Sequence, residues 1–134
     1  MELPWLSRWQ PQVLAVLRIV TGLLFLEHGL SKFFGFPVPF PVNPLPPMLM
    51  AAGAIELIAG VLVTIGLFTR LAAFIASGEM AFAYFIGHFP KSPWPAANMG
   101  EGAILFCFIF LYIAAAGAGA WSVDGARLRS APIH

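Results

Sequence analysis

The chain has 134 residues, of which 60% are hydrophobic and only 10% are charged, and its formal net charge is +1. Because soluble domains carry about 25% charged residues, this composition excludes an ordinary soluble protein and predicts a single integral membrane domain. The near-neutral charge gives no support for a nucleic-acid partner. One cysteine, Cys107, excludes an intrachain disulfide and a thiol–disulfide relay.

Four apolar segments predict an all-α membrane protein, a bundle of four transmembrane helices in up-down-up-down order. The chain first places Trp5, Arg8 and Trp9 close together, as is typical of a segment at the membrane–water interface. Helices are then predicted at about residues 12–34, 48–68, 70–87 and 100–116. The turn at Thr69 is so short that the second and third helices are expected to be antiparallel neighbours.

Two proline-rich loops, residues 35–47 and 88–99, lie between helices on the same side of the predicted bundle. Proline disfavours helix there, and the first loop is apolar enough to lie on the membrane or to cap the bundle. The termini, including the tail 119–134, share the other side. That side carries more basic residues, Arg8, Arg70, Arg127 and Arg129, than the loop side with Lys32 and Lys91. The positive-inside rule therefore predicts cytoplasmic termini in a bacterial inner membrane.

Each predicted helix carries one glutamate. An ionised group at bilayer depth costs about 2.5–3.5 kcal/mol on insertion scales, so these side chains are expected to face other helices or a cavity. At 100° per residue, Gly53 and Gly60 share a face with Glu56, and small residues mark the faces where transmembrane helices touch. Alanines likewise share a stripe with Glu79.

The depths of these groups predict a polar cleft that opens toward the proline-rich loops. With a rise of about 1.5 Å per residue, Glu56 and Glu79 lie near the midplane and the other polar groups lie progressively outward. The candidate cleft residues are Glu27, His28, Lys32, Glu56, Glu79 and Glu101. Secondary candidates are Arg18, in the inner half, His88, at a helix end, Asn98, and Tyr112, which shares a helix face with Glu101.

Structural roles compete with functional ones at each position. The two midplane glutamates would equally well lock the bundle through hydrogen bonds, and His28 either transfers protons or bonds helix to helix. Arg18 pairs with an acid or reaches the inner headgroups. Only His28 and His88 lie in the spans, their depths differ by about 6 Å, and the Glu-x-x-His pair of di-iron bundles is missing. We therefore predict no metal or haem site.

Five motifs occur in order along nearly the whole chain. They are His28-Gly29-x-x-Lys32-x-x-Gly35, Gly53-x-x-Glu56-x-x-x-Gly60, Gly66-Leu-x-Thr69-Arg70-x-Ala72-Ala73, Asn98-x-Gly100-Glu101 and Gly117-x-Gly119-x-Trp121-Ser-x-Asp124. Together they resemble the DoxX family of small four-helix bacterial membrane proteins, with Met99 standing where the family pattern commonly has a glycine. The resemblance implies membrane redox work, as a subunit of a thiosulfate:quinone oxidoreductase or a membrane partner of superoxide dismutase and a sulfurtransferase. It also implies a relation to lipid- or sterol-binding membrane proteins.

Three functional hypotheses follow. In the first, the chain is a non-catalytic or quinone-binding subunit of a redox system, with the cleft passing protons and Lys32 holding a headgroup oxygen. No residue here carries electrons, so electrons must come from a cofactor or a soluble redox partner. In the second, the cleft binds or transports a lipid or another hydrophobic molecule. In the third, the tail with Arg127 and Arg129 anchors soluble redox enzymes. Small-residue stripes would also serve a homo-oligomer.

Overall fold

A computed structural model describes residues 1–130, except the side chains of residues 129 and 130. Residues 131–134 of the predicted tail lie outside this range. All regular structure in the described part is helical. Its elements are α1 (Pro4–Ser7), α2 (Gln10–Phe34), α3 (Pro47–Ile65), α4 (Thr69–Gly87), a 3-10 turn (Phe89–Lys91), α5 (Pro95–Asn98), α6 (Glu101–Ala116) and α7 (Val123–Ser130).

Three of the described helical segments are long and apolar enough to cross a membrane: Gln10–Phe34, Pro47–Ile65 and Thr69–Lys91. The fourth long helix, α6, is apolar but has only 16 residues. At 1.5 Å per residue it measures about 24 Å, which is short of the roughly 30 Å hydrocarbon core. The chain is thus an all-helical protein with membrane-like helices.

The long helices form two hairpins, α2 with α3 and α4 with α6, which meet mainly along α3 and α4. Glycines allow the first hairpin to close tightly. A Cβ atom on Gly29 would lie 2.9 Å from the carbonyl oxygen of Gly53, and one on Gly22 would lie 2.8 Å from the backbone nitrogen of Thr64. Such close backbone approach is the usual basis of helix association in membranes.

The closely packed core occupies the half of the molecule farther from the proline-rich loops. Phe25 of α2 and Phe110 of α6 meet edge to face at 4.8 Å between ring centroids, and both are fully buried. Val63 of α3 and Ala76 of α4 complete the contact between the hairpins. Because this half is filled by side chains, the space for a ligand lies in the other half.

Arg18 ties α2 to the segment that follows α6. Its side chain is fully buried, and its guanidinium donates hydrogen bonds to the carbonyl oxygens of Ala118, of Ala120 at 3.0 Å and of Trp121 at 2.8 Å. The prediction that Arg18 pairs with an acid or reaches the headgroups is therefore wrong as to its direct partners, which are backbone carbonyls of the tail. The chain beyond α6 supplies them because it folds back across the end of the bundle.

The turn between α3 and α4 is built jointly with the tail. Gly66 takes a left-handed conformation at φ 73° and ends α3 at Ile65, three residues before the predicted end. Asp124 then accepts hydrogen bonds from the backbone N–H groups of Phe68 and Thr69, both at 2.9 Å, and its own N–H donates to the Gly66 carbonyl at 2.8 Å. The sequence predicts a local cap or a turn residue at Asp124, whereas in the structure Asp124 caps a helix that is distant in the chain.

The same hydrogen bonds set the charge state of Asp124. Partial burial raises the pKa of its carboxyl group, but hydrogen bonds from Thr69 and Phe68, with the nearby Arg127 charge, outweigh that effect and hold the pKa below its usual range. The carboxylate also lies at the N-terminus of α4, where a helix dipole favours negative charge. The tail is therefore attached to the bundle by an ionised group at neutral pH.

Candidate functional site

A cavity of about 770 Å³ lies between the two hairpins, in the half that carries the proline-rich loops. Its walls are mostly apolar and come from α3, α4, α6 and the first loop; they include Ile55, Met80, Phe82, Phe106 and Phe40. Its polar lining groups are His28, Lys32, Glu56, Glu79, His88 and Lys91. The cavity is within the size range of sites for small organic ligands, about 300–1,000 Å³.

The cavity opens sideways between α3 and α4. Met48 on α3 and Phe82 and Ile86 on α4 line it while remaining about half exposed at the surface of the molecule. These residues lie on helices with the length and composition of membrane spans, so the rim of the opening is apolar.

A buried ion pair closes the deep end of the cavity. The Lys32 Nζ atom of α2 lies 2.9 Å from Oε1 and 2.8 Å from Oε2 of Glu56 on α3, and the two side chains are only 9% and 3% exposed. Lys32 stands in the last turn of α2, where the helix dipole favours a cation. Gly53 and Gly60 flank Glu56 on the buried face of α3 and let α2 approach.

Glu79 faces this pair from α4. Its carboxyl group interacts with Glu56 and Lys32, and its Oε2 atom is buried without a hydrogen-bond partner among the described residues. One ammonium group compensates the charge of one carboxylate, so the second carboxyl group needs a proton or a donor from outside the chain. Glu79 therefore presents an unused hydrogen-bonding position to the cavity.

Two histidines also line the cavity. The ring of His28 meets Phe106 of α6 edge to face, at 5.7 Å between centroids. The Nδ1–H group of His88 donates to the carbonyl oxygen of Asn98 at 3.0 Å, and its ring stacks on Tyr84 at 6.3 Å. His88 is thus held in place by the second loop, whereas His28 borders the cavity without a hydrogen bond among the described residues.

Asn98 does not line the cavity; it builds the second loop. Its buried side-chain amide donates to the Tyr84 hydroxyl at 3.1 Å and to the Ser92 carbonyl at 3.0 Å, and it accepts from the Gly100 N–H at 2.8 Å. Because this buried amide makes all these hydrogen bonds within the protein, its role is to hold the loop in place rather than to bind a ligand. Its link to the site is indirect, through His88.

Four other predicted residues also lie outside the cavity lining. Glu101 is exposed at the first position of α6, where the helix dipole favours an acid, and Tyr112 is exposed on the same helix. Arg18 lies at the opposite end of the bundle. Glu27 is exposed on α2, about 160° around the helix from Gly29 at 100° per residue, so it points away from the hairpin contact.

Sequence reasoning missed most of the apolar lining, because it searched for charged groups at depth. Phe40 is one example: the first loop folds over the cavity and brings its ring to 5.0 Å from Lys32 Nζ. The apolar composition of that loop is the sequence feature that could have predicted its position over the cavity. Among residues 1–130, no group of three His, Cys, Asp or Glu side chains is placed to hold a metal ion. The lining suits an organic molecule with a small polar head.

These features define a class: a helical membrane protein with an apolar, laterally open cavity and a buried ion pair at its end. The chain belongs to the DoxX family, whose model matches residues 13–89. An "Uncharacterized protein" of Haemophilus influenzae is 44% identical over 125 residues, which cover 89% of this chain and 93% of that protein. A "Putative oxidoreductase CatD" of Bacillus subtilis is 48% identical over 60 residues, 42% of this chain and 45% of that protein. No solved structure matches the chain.

Proposed function

We propose that the chain spans a bacterial inner membrane four times, in up-down-up-down order with both termini in the cytoplasm. The apolar α6, packed along the membrane-like α4, supports a fourth span. The arginines at the end of the bundle opposite the proline-rich loops support the orientation, because basic residues favour the cytoplasmic side. In this arrangement the cavity lies in the outer half of the bilayer.

Within that frame, we propose that the cavity binds a quinone and that the chain is the non-catalytic, quinone-binding membrane subunit of a redox system. The observation that carries the proposal is the apolar, laterally open cavity that ends on Lys32, Glu56 and Glu79. The name of the Bacillus subtilis relative, "Putative oxidoreductase CatD", favours a redox setting over simple lipid storage.

The lining residues fit a quinone headgroup at two atoms. Glu79 Oε2 is buried without a hydrogen-bond partner in the described part of the chain, and it would accept a hydrogen bond from a quinol hydroxyl or, when protonated, donate one to a quinone carbonyl. Lys32 has three N–H donors and uses two of them on Glu56, which leaves one for an oxygen in the cavity. An isoprenoid tail would lie along Phe82 and Met48 toward the membrane.

A bound quinone would supply two-electron, two-proton chemistry. The chain's own contribution is to bind the headgroup, to exclude water with its apolar walls, and to hold a proton at Glu79. Electrons must come from a soluble redox partner, because no side chain in this set carries them. The proposed partner would dock on the cytoplasmic side, and a tail cut after residue 118 is expected to abolish its recovery.

The test is quinone content. Protein extracted gently from membranes should carry close to one quinone per chain, measured by mass spectrometry of the organic extract. Glu79→Leu, which removes both oxygens that would bond the headgroup, and Ala83→Phe, which fills the cavity, should each lower the content at least fivefold. Glu101→Leu is the matched control, at an exposed glutamate outside the lining, and should leave the content unchanged.

Two outcomes would overturn the quinone assignment. A phospholipid or sterol-like molecule in stoichiometric amount, lost in the same two variants, would make the chain a lipid-binding or transport module. Quinone content that does not respond to Glu79→Leu or Ala83→Phe would place the quinone elsewhere and leave the cavity without this role.

A further inference from the structure

A second cavity, of about 630 Å³, lies at the end of the bundle opposite the proline-rich loops. Its walls come from the start of α4, from the end of α6 with the segment that follows it, and from α7. In the proposed arrangement of spans, the start of the segment Thr69–Lys91 lies at the level of the lipid headgroups, and so does this cavity. The proposed quinone site does not use it.

The charged side chains described in this cavity are Arg70, Asp124 and Arg127. The two oxygens of Asp124 accept hydrogen bonds from the backbone N–H groups of Phe68 and Thr69, both at 2.9 Å. The guanidinium group of Arg127 lies over the Phe68 ring, 5.4 Å from its centroid. The described lining therefore sets two guanidinium groups against one carboxylate, and that carboxylate is already bonded to the backbone of α4.

Arg70 is oriented by the end of α6. It stands in the first turn of α4, where the helix dipole disfavours a cation, but its side chain reaches the C-terminal end of α6, where the dipole favours one. There its two Nη atoms donate three hydrogen bonds, to the carbonyl oxygens of Ala114, Ala115 and Ala116. Gly117 leaves room for the guanidinium group, because a Cβ atom at that position would lie 3.0 Å from Nη2. An arginine has five N–H donors, so two are left for an acceptor in the cavity.

We propose that this cavity binds the headgroup phosphate of an anionic phospholipid. Arg70 and Arg127 would bond the phosphate oxygens, because a guanidinium group matches phosphate geometry. An acyl chain would lie along Leu71, which lines the cavity and is 64% exposed. Basic pockets at the cytoplasmic ends of transmembrane helices are typical sites for anionic lipid headgroups.

The apolar part of the lining favours a lipid over a free phosphate ion or an acidic soluble protein. Phe68, Leu71 and Leu128 are all more than half exposed and lie beside the two guanidinium groups. The cavity thus offers a cationic region and an apolar region side by side, as a phospholipid requires. The inference rests on the proposed arrangement in the membrane and does not depend on the quinone.

The test is lipid affinity. The full chain in mixed micelles is titrated with phosphatidylglycerol or with phosphatidylcholine of the same acyl chains, and bound lipid is counted by native mass spectrometry. Phosphatidylglycerol should bind at least tenfold more tightly. Arg127→Gln should lower that affinity about fivefold, the usual effect of one basic side chain near an anionic lipid surface, and Arg127→Lys should retain most of it. Arg127 carries the test because Arg70→Gln would also remove hydrogen bonds that hold the end of α6.

Arg8→Gln is the matched control. Arg8 is exposed and lies over an aromatic ring, 5.6 Å from the centroid of Trp9, but it is outside this cavity lining. It belongs to the same end of the bundle, where the Ala120 N–H group donates to the Pro11 carbonyl oxygen at 3.0 Å. Its substitution should leave the affinity for phosphatidylglycerol unchanged. An equal loss in Arg8→Gln and Arg127→Gln would show a general effect of net charge and overturn the site.

Three other results would also overturn the proposal. They are equal affinity for the two lipids, unchanged affinity in Arg127→Gln, and displacement of phosphatidylglycerol by inorganic phosphate at the same concentration, which would assign the cavity to a free anion. Quinone content should not change in Arg127→Gln, because the quinone site lies in the other half of the bundle. Failure of this proposal is therefore distinguishable from failure of the proposed function.

Discussion

Lys32 and Glu56 form a buried ion pair in which one ammonium group bonds both oxygens of one carboxylate, from α2 to α3. The pair closes the deep end of the cavity and fixes the spacing of two helices that glycines bring close together. Breaking it is expected to be costly, since either partner alone would remain as an uncompensated charge among apolar side chains.

Lys32→Met alone should lower the free energy of unfolding by about 3–5 kcal/mol, because Glu56 is left buried and unpaired. The double variant Lys32→Met/Glu56→Met should recover most of that loss, since an apolar pair needs no compensation. The free energies of unfolding of both variants are measured by following helix content during a denaturant titration in mixed micelles. A double variant no more stable than the single one would show that the ion pair is not the source of the effect.

Asp124 makes the stability of the tail pH-dependent. Its pKa is lower in the folded chain than the ordinary value of about 3.9. Its stabilising contribution is therefore present above about pH 4 and is lost as the pH falls through the folded-state pKa. At pH 7, Asp124→Ala should cost about 0.5–2 kcal/mol, as for loss of a helix cap. Unfolding curves of both proteins should converge in acid; a difference that persists there would rule out the carboxylate as its cause.

Two glycine substitutions separate close packing from helix propensity. A Cβ on Gly22 would meet the backbone of Thr64, whereas one on Gly78 meets nothing within 4 Å. Gly22→Ala should destabilise the α2–α3 hairpin by about 1–3 kcal/mol through overpacking. Gly78→Ala should be neutral or stabilise by up to about 1 kcal/mol. Thermal unfolding in detergent compares them, and equal melting temperatures would contradict the close approach of α2 and α3.

Arg18 should hold the tail against proteolysis. Arg18→Gln removes most of the donors that bond the carbonyls of Ala118, Ala120 and Trp121, at a cost on the order of 3 kcal/mol. Residues 117–124 should then be cut at least tenfold faster by a non-specific protease, with α2–α6 still protected. Arg8→Gln, which changes an exposed arginine, is the control. Unchanged cleavage in Arg18→Gln would assign the tail's protection to other contacts.

Local patterns predicted the all-helical, membrane-like character of the chain and the direction of some side chains. The small residues around Glu56 predicted that it faces another helix, and the structure buries it with Gly53 and Gly60. The prediction succeeds because small residues at helical spacing leave room for the backbone of a neighbouring helix. The sequence offered no partner for Glu56, because Lys32 reaches it only once α2 and α3 have packed.

Other placements depend on contacts between distant segments, which no local pattern reveals. Asp124 caps a helix that begins at Thr69, and Phe40 covers Lys32 because the proline-rich loop folds inward. Glu27 was predicted as a cleft residue from its charge and depth, which do not give the direction of its side chain. Two residues along a helix turn the side chain by about 200°, and that angle by itself points Glu27 away from Gly29.

The bonds of Arg18 also bear on how the protein is made. Arg18 belongs to the first long helix, yet its acceptors lie about 100 positions later in the chain. During synthesis the first hairpin therefore enters the bilayer with a buried cation that lacks its final partners. Closing so large a loop is entropically slow, and local helix pairing precedes it. Residues 118–121 thus complete a contact that begins in the first long helix, and a chain released before residue 118 would leave the Arg18 guanidinium without these acceptors.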